Sequence, residues 1–277
     1  METINKITTS KQTTMYDHLC KMIIGNEEVL SRIIKAAVDE ANHLNVEEIR
    51  RLIKGVHIGD LIVNPHFHLV DKKGFIKDEG MVYYDILCYI DVPQEDGKNI
   101  RVYLYVEIQN NPYPGYSIIT RGYAYVSRIV SEQWGSEYDD KNYDGMKKVY
   151  SLWIMPKAPK RKDGHMNVYE TNERIICGTT VEEKEIYDKG VILAIYLNKE
   201  HDELLTPLMV LLNNVLDYKG KQRIIEEYGL NTKKIESEVK DMCDLGESIA
   251  LEARNEGKQI ERKEKNIAHV KKLMIGL

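Results

Sequence analysis

The first part of the chain has the hydrophobic spacing of helices. Over residues 15–44, apolar side chains recur at steps of three and four, which predicts one broken or two short amphipathic helices. The next segment offers Asn45 as an N-cap, Glu48 three residues later and Gly55 as a stop. That pattern predicts one more short helix.

The middle of the chain alternates between apolar and polar residues, which is the period of a strand. The segments "MVYYDILCYIDV" and "NIRVYLYVEIQ" both alternate, and the turn signal Asp96-Gly97 lies between them, so together they predict a β-hairpin. The even-numbered positions form an apolar face: Ile86, Cys88, Ile90, Val102, Leu104, Val106 and Ile108. The opposite, more polar face carries Asp85, Glu107 and Gln109 beside several tyrosines.

The register of this hairpin brings its polar groups together. A turn centred near Asp96-Gly97 places Asp85 opposite a position close to Ile108. Glu107 and Gln109 then flank Asp85 across the strand pair. We therefore expect two carboxylates and an amide at one end of the hairpin.

A further helix is predicted over residues 116–134, after the turn "NPYPG". Its helical spacing places Arg121, Tyr125, Arg128 and Glu132 on one face. The opposite face is apolar and carries Ile119, Tyr123, Val126 and Val130. This helix would present its arginines near the polar end of the hairpin.

The rest of the chain predicts two buried strands, an edge strand and a helical end. The strands are expected over 147–155 and 190–197, with a basic loop and an edge strand over 175–180 between them. Helices are expected over 207–216, 220–228 and 232–254. This order predicts an α/β fold, with a polar tail at 1–14, a core over 15–199 and a C-terminal helical region over 200–277.

Composition excludes few classes of function. The chain has 277 residues and a formal net charge of −5, which argues against a general polyanion binder but permits a local basic groove. Four cysteines are scattered without short pairing: Cys20, Cys88, Cys177 and Cys243. They indicate reduced thiols in a cytoplasmic protein. The polar N-terminal sequence predicts no secretory signal, and the apolar runs are too short to predict a membrane span.

The acids at the hairpin end suggest a chemistry. Two carboxylates in one place repel each other unless a cation neutralises them, and Mg²⁺ prefers one or two carboxylates together with water and phosphate oxygens. Arg121 and Arg128 would then contact a phosphodiester backbone. The basic loop with Lys160 and Arg161 is a second candidate for that contact.

These residues resemble a known family. The segments "YYDILCYIDV", "RVYLYVEIQNNPYPGYSIITRGYAYVSRIVSEQW" and "YDGMKKVYSLWIM" look like the PD-(D/E)XK nuclease superfamily, and more narrowly its transposase-like, recombination-promoting nuclease branch. The resemblance covers roughly residues 15–255. It implies a restriction-endonuclease-like core, with a mixed four-stranded sheet flanked by helices, and Mg²⁺-dependent cleavage of DNA, with Mn²⁺ as a substitute.

The resemblance also assigns roles to residues. Asp85 and Glu107 match the metal ligands, and Gln109 stands where the superfamily has a lysine. A neutral Gln offers hydrogen bonds but no positive charge. An acid from the first helix often completes such sites, and Glu40 is the first candidate, ahead of Asp39.

Expected DNA contacts come from the helix predicted over 116–134 and from the basic loop. The residues are Arg121, Tyr125, Arg128, Lys160 and Arg161. A homodimer would be suited to cutting both strands of a duplex.

Other interpretations remain open at this point. The nuclease-like domain could bind DNA without cutting it, as the neutral Gln109 suggests, or the charged C-terminal helix could make it an oligomerising interaction protein. Asp85 could also be an ordinary exposed strand residue, and Glu107 a cross-strand partner of a basic residue. His66 and His68 have the spacing of a strand-borne metal pair, but no third ligand is obviously placed to join them.

Overall fold

A computed structural model describes most of the chain. The described residues are 14–59, 84–95, 97–111, 113–197, 208, 211–212, 217–230 and 233–275. The predicted histidine pair, most of the polar tail and most of the predicted helix over 207–216 lie outside these ranges. No helix within the described ranges is long and apolar enough to cross a membrane.

Helices come first and last, with the strands between them. The elements are α1 (14–24), α2 (Glu27–Ala37), α3 (Val46–Leu52), β1 (Ile53–Ile58), β2 (Ile86–Pro93), β3 (Asn99–Ile108), α4 (Ile118–Glu132), β4 (Lys148–Met155), β5 (Met166–Tyr169), α5 (Lys184–Tyr187), β6 (Gly190–Tyr196), and the helices Tyr218–Glu227 and Lys233–Ile275. Single turns of 3-10 helix occupy Asp39–Ala41, Tyr143–Gly145 and Lys160–Lys162. The predicted α/β class is confirmed.

The strands form one mixed sheet of six in the order β1-β2-β3-β4-β6-β5. The pairs β3–β4 and β4–β6 are parallel, whereas β1–β2, β2–β3 and β5–β6 are antiparallel. The expected sheet of four strands is therefore wrong. The two additional strands are β1 and β5, one at each edge of the sheet.

Strand β1 was hidden because it begins directly where α3 ends. The predicted capping box of α3 is confirmed, with reciprocal hydrogen bonds between Asn45 and Glu48. Gly55, expected as a helix stop, instead lies inside β1 with φ +61. The strand register shifts between Lys54 and His57, and glycine suits such a bulge because it adopts positive φ without strain.

The predicted edge strand over 175–180 is also wrong. Strand β5 pairs with β6 from Met166↔Ile195 to Tyr169↔Ile192, so that edge is already occupied. The predicted segment has no strand structure, and Ile176 is 84% exposed. Its short apolar run gave the composition of a strand without the contacts that would bury one.

The two faces of the sheet divide as the alternation predicted. The even-numbered residues of β2 and β3 belong to a core shared with α1, α2, α3 and the C-terminal helices. The odd-numbered face belongs to a second core under α4, formed by Tyr105, Ile118, Val126, Ile129, Trp153 and Ile192, among others. The sheet is thus covered on both faces, as expected of a mixed sheet with parallel strands.

The C-terminal helices share the first core with α1 and α2. The Tyr16 hydroxyl donates to the backbone oxygen of Leu212 at 2.7 Å, and Arg32 Nη2 donates to that of Tyr228 at 2.5 Å. The predicted helix over 232–254 is much longer, because Lys233–Ile275 is continuous. Its first turns are buried at Ile235, Val239 and Met242, whereas Leu251, Ile260 and Ile267 are exposed.

Candidate active site

Two acids lie close together where β2 begins and β3 ends: Glu107 is buried and Asp85 is half-buried. The strands pair from Ile86↔Val106 to Pro93↔Asn99, which is one residue away from the predicted register. Asp85 directly precedes the first of these pairs and Glu107 directly follows it. The backbone N–H of Ile108 donates to Asp85 Oδ2 at 3.0 Å, so the Asp85 carboxylate lies beside the end of β3. The predicted convergence of these two acids is therefore confirmed.

The carboxylate of Asp85 forms an ion pair with a lysine of α1, the helix layer on the face of the sheet opposite α4. Lys21 of α1 places its Nζ 2.7 Å from Asp85 Oδ1 and 2.9 Å from Asp17 Oδ2. The Lys21 and Asp85 side chains are only 12% and 13% exposed. Because the pair is shielded from water, the attraction between its charges is stronger than at the surface.

Glu107 is held by a tyrosine and an arginine from the α4 side. The Tyr105 hydroxyl donates to Glu107 Oε2, and Arg121 Nη2 lies 3.3 Å from Glu107 Oε1. The Tyr105 ring stacks on that of Tyr125, with centroids 5.0 Å apart. The acid pair thus lies at the junction of the two helical layers, with α1 on one side and α4 on the other.

Arg121 is fixed by aromatic side chains. It donates from Nη1 to the Tyr116 hydroxyl at 2.6 Å and from Nη2 to the Tyr125 hydroxyl at 2.7 Å. Its guanidinium carbon also lies 5.3 Å from the centre of the Trp153 ring, within cation–π range. Trp153 lies on β4, the strand adjacent to Glu107.

Helix α4 comes close enough to the sheet to make these contacts because of its sequence. Ser117 caps its first turn by accepting from the N–H of Thr120. Gly122 faces the sheet, where an added Cβ would lie 2.9 Å from Ile192 Cγ2 and 3.0 Å from Trp153 Nε1. A glycine at this position therefore permits the close approach.

Burial and mutual repulsion disfavour ionisation of the acid pair. Burial, with the nearby charge of Asp85 second, raises the pKa of Glu107 to about 7. Burial also raises the pKa of Asp85, although Lys21 and the N–H of Ile108 oppose that shift. Displaced pKa values on adjacent acids are typical of functional sites, although structural clusters also show them.

The two cations remain charged. Burial alone would lower the pKa of Lys21, but hydrogen bonds to Asp85 and Asp17 raise it above its ordinary value. Burial acts in the same direction on Arg121, and its bond to Tyr125 with the charge of Glu107 raises its pKa. The cluster therefore holds two fixed positive charges against the carboxylates of Asp17, Asp85 and Glu107.

An oxygen-preferring divalent ion fits this set of donors. Carboxylate oxygens are hard ligands, and Asn110 adds an amide that donates to Asp17 Oδ1 at 3.3 Å. The Asn110 Oδ1 atom is buried and has no hydrogen-bond partner within the described part of the chain. Such an oxygen usually accepts from a water or binds an ion. The described residues nevertheless contain no ready-made group of three or more His, Cys, Asp or Glu ligands.

Gln109 and Glu40 do not contact the acid pair. Gln109 Nε2 donates to the backbone oxygen of Asn111 at 2.6 Å. Glu40 accepts from the Tyr150 hydroxyl at 2.7 Å and lies 3.0 Å from Lys148 Nζ.

The location of Glu40 corrects the expectation that it completes the site. Lys148 pairs with Val102, whereas Glu107 pairs with Trp153. Five residues of strand correspond to about 16 Å, so Glu40 lies near the opposite end of the sheet. It also contacts the other face, because the Tyr150 ring belongs to the first core. Asp39, the second candidate, precedes Glu40 in the same 3-10 turn.

The predicted DNA contacts lie in different surroundings. Arg121 and Tyr125 belong to the acid cluster itself. Arg128 lies near Tyr84 and Glu132, because its positive charge opposes the rise that burial causes in the pKa of both groups. Lys160 and Arg161 are exposed in the single turn Lys160–Lys162.

The basic loop leaves the sheet at the same edge as the acids. It follows the end of β4, and the pair Ile108↔Ile154 shows that this end lies beside the end of β3. Lys157, which is exposed at the start of the loop, acts electrostatically on Cys20 of α1, next to Lys21 in the chain. Acidic and basic groups are therefore gathered at the carboxyl edge of the parallel strands.

Sequence reasoning missed Asp17 and Lys21. Their spacing of four residues on a helix is a visible signal of an ion pair. It gives no indication that the pair meets Asp85, because only the tertiary fold brings α1 to the hairpin end.

Comparisons with known proteins do not place the chain in a family. No family in a scan of protein families matches it. No curated protein and no solved structure gives a significant match.

Proposed function

We propose that this protein is a divalent-metal-dependent nuclease that hydrolyses phosphodiester bonds of DNA. The observation that carries the proposal is the adjacent pair of acids at the end of β3, the half-buried Asp85 and the buried Glu107. Their carboxylates are close enough for Asp85 to raise the pKa of Glu107. Keeping Asp17, Asp85 and Glu107 all ionised at neutral pH calls for more positive charge than Lys21 and Arg121 provide.

Asp85 and Glu107 would hold the metal, with Asp17 and Asn110 beside them. When bound, Mg²⁺ or Mn²⁺ would polarise a phosphate oxygen and lower the pKa of a water molecule. Lys21 keeps Asp85 and Asp17 together before the metal arrives. Its ammonium group is the positive charge that a bound metal would replace.

Arg121 would bind a substrate phosphate. It is only 30% exposed and is oriented by two tyrosine hydroxyls, so little side-chain freedom would be lost when a phosphate binds. Lys157, Lys160 and Arg161 are exposed at the same edge of the sheet. They would contact the DNA backbone farther from the reacting bond, in a sequence-independent way.

The test is a nicking assay on supercoiled plasmid with Mg²⁺ or Mn²⁺. The wild-type protein should nick the plasmid, and Asp85→Asn or Glu107→Gln should each lower the rate by about 100-fold or more, as expected for loss of a group that stabilises the transition state. Asp91→Asn is the matched control. Asp91 lies on the same sheet face as Glu107, at the other end of β2, and its Oδ1 is 2.7 Å from Arg101 Nε. Nicking that survives both site substitutions would refute the proposal.

A second candidate is a domain of this kind that binds DNA without cutting it. Two observations favour it: Lys21 already occupies the position of a cation between Asp17 and Asp85, and the neutral Gln109 is bonded to Asn111. DNA binding that weakens steeply with salt, without metal-dependent nicking, would identify this alternative.

A further inference from the structure

The turn between β3 and α4 exposes two large aromatic rings. Tyr113 is 69% exposed and Tyr116 is 51% exposed, in a segment without charged residues. Exposed aromatic rings of this size commonly mark surfaces that bind a partner. The turn begins a few residues after Glu107 in the chain.

One of these rings contacts the site itself. Arg121 donates to the Tyr116 hydroxyl at 2.6 Å and lies 5.5 Å from the centre of its ring. The same arginine lies 3.3 Å from Glu107. A ligand resting on Tyr116 would therefore have its charged groups within reach of Arg121.

Hydrogen bonds hold two of the described residues of the turn. The Gln109 side chain donates to the backbone oxygen of Asn111 at 2.6 Å, and the N–H of Tyr113 donates to Asn111 Oδ1 at 2.9 Å. Gly115 has φ +90, which glycine adopts without strain. Because the backbone of Tyr113 is already held, its ring would bind a ligand with little further loss of entropy.

This combination of groups suits an unpaired nucleotide. A flat ring offers a stacking surface to any base, while nearby cations attract the phosphate. In a duplex the base faces are already stacked on one another, so only unpaired bases can lie flat on a tyrosine. Arg121 and the basic loop with Lys157, Lys160 and Arg161 make a polyanion a better partner for this surface than an apolar protein segment.

We propose that Tyr113 and Tyr116 form a base-stacking subsite that gives this protein a preference for single-stranded DNA. The inference rests on the proposed function, because it names the substrate form that the same site would take. Gln109 gains a role in this arrangement, since its amide fixes the turn instead of reaching the acids.

The test is fluorescence anisotropy with a labelled single-stranded oligonucleotide and a labelled blunt-ended duplex without unpaired bases, in EDTA so that nothing is cut. The wild-type protein should bind the single strand more tightly. Tyr113→Ala and Tyr116→Ala should each weaken single-strand binding by about 5-fold to 100-fold, the range expected for loss of one stacked base. Tyr113→Ala should change duplex binding by less than about twofold, and Tyr113→Phe, which keeps the ring, should bind nearly as well as the wild type. Tyr116→Phe keeps the ring but removes the hydroxyl that accepts from Arg121, so it separates stacking from the positioning of Arg121.

Tyr123→Ala is the matched control. Tyr123 is 49% exposed on α4, and two residues of helix turn it about 200° from Arg121, so its loss should leave binding unchanged. Thermal unfolding of each variant would show that the fold is intact. Absence of single-strand preference in the wild type, unchanged binding in both alanine variants, or equal weakening for both DNA forms would overturn the inference.

Failure here is distinguishable from failure of the nuclease proposal. The binding assay contains no divalent metal and has no cleavage readout. If Asp85→Asn abolishes nicking while the tyrosine variants bind normally, the stacking subsite is wrong and the nuclease proposal stands. If the tyrosines control single-strand binding but nothing is cut, the subsite stands and the protein is the DNA-binding alternative.

Discussion

Glu107 is the residue at which stability and the proposed function oppose each other. Its side chain is 8% exposed, beside Asp85 and the hydroxyl of Tyr105. Burial and the charge of Asp85 raise its pKa to about 7 although the Tyr105 hydroxyl opposes the shift, so folding without metal favours the protonated acid, whereas a metal ligand must be ionised. The conflict has a direct consequence for the dependence of stability on pH.

Replacement of Glu107 by Gln should make the metal-free protein relatively more stable at high pH. Between the unfolded value of 4.5 and the folded value of about 7, unfolding releases a proton from Glu107, so the wild type loses stability as pH rises through this window. The free energy of unfolding of Glu107→Gln, relative to the wild type, should therefore rise by about 3 kcal/mol between pH 4.5 and pH 8. Urea denaturation across that range measures it.

Asp91→Asn provides a control of opposite sign. Its hydrogen bond with Arg101 is the main reason why the pKa of Asp91 is lowered, so its ionised form stabilises the fold and that contribution is lost as pH falls. The substitution should cost most at pH 8 and least in acid. If both variants had the same pH profile, the account of Glu107 would be contradicted.

Lys21 should both stabilise the metal-free protein and compete with metal. Lys21→Met leaves the buried carboxylate of Asp85 without its cation, which should lower the free energy of unfolding by about 2–4 kcal/mol in EDTA. Added Mg²⁺ should then raise the melting temperature more than in the wild type, because the metal replaces the lost charge. Differential scanning fluorimetry with and without Mg²⁺ measures both effects.

Lys54→Met is the matched control for Lys21. The Lys54 side chain is 50% exposed and binds Asp91 at 3.1 Å, so its loss should cost less than about 1 kcal/mol. It should also leave the response to Mg²⁺ unchanged. An equal or smaller Mg²⁺ response in Lys21→Met than in the wild type would show that Lys21 does not occupy the position of a metal.

At the scale of elements, the site depends on how closely α4 lies against the sheet. Gly122 permits the approach to Trp153 and Ile192, and Arg121 is its neighbour in the helix. The long C-terminal helix contains Gly257, where an added Cβ would meet nothing within 4 Å. These two helical glycines allow packing to be separated from helix propensity.

Gly122→Ala and Gly257→Ala should have opposite effects. Gly122→Ala should destabilise the fold by about 1–2 kcal/mol, because crowding against the sheet outweighs the better helix propensity of alanine. Gly257→Ala should increase helicity and stabilise its helix by up to about 1 kcal/mol. Urea denaturation followed by circular dichroism checks both, and a stabilising Gly122→Ala would contradict the close packing of α4.

The elements that sequence could predict are those with a strong local signal. The β2–β3 hairpin carried clear alternation, and its even-numbered face was correctly assigned to a core. The two central parallel strands carried long apolar runs. Strand β1 was missed because its first residues continue the pattern of α3. The edge strand was misplaced because nothing local distinguishes Met166–Tyr169 from the apolar residues at 175–180.

The same limit applies to the residues of the site. Asp85 and Glu107 were predictable because they belong to one hairpin, where register alone sets their proximity. Asp17 and Lys21 lie on α1, far away in sequence, so no local pattern could place them there. Glu40 was chosen by analogy, but its partners Tyr150 and Lys148 hold it at the other end of the sheet.

At the scale of the whole molecule, an acidic chain gathers positive charge at one edge. The net charge is −5, yet Lys21, Arg121 and the loop beginning at Lys157 lie at the carboxyl end of the parallel strands. A local patch of this kind can attract DNA although the protein as a whole repels it. Both helical layers contribute to it, because α1 supplies Lys21 and α4 supplies Arg121.

The most direct test of the central claim is an anomalous difference map from a crystal soaked with Mn²⁺ at pH 8, where Glu107 is mainly ionised. A peak in contact with carboxylate oxygens of both Asp85 and Glu107 is the expected result, with Lys21 moved away from Asp85. A map with no peak there, or with Mn²⁺ bound only at other sites, would contradict a metal-dependent hydrolase built on these two acids.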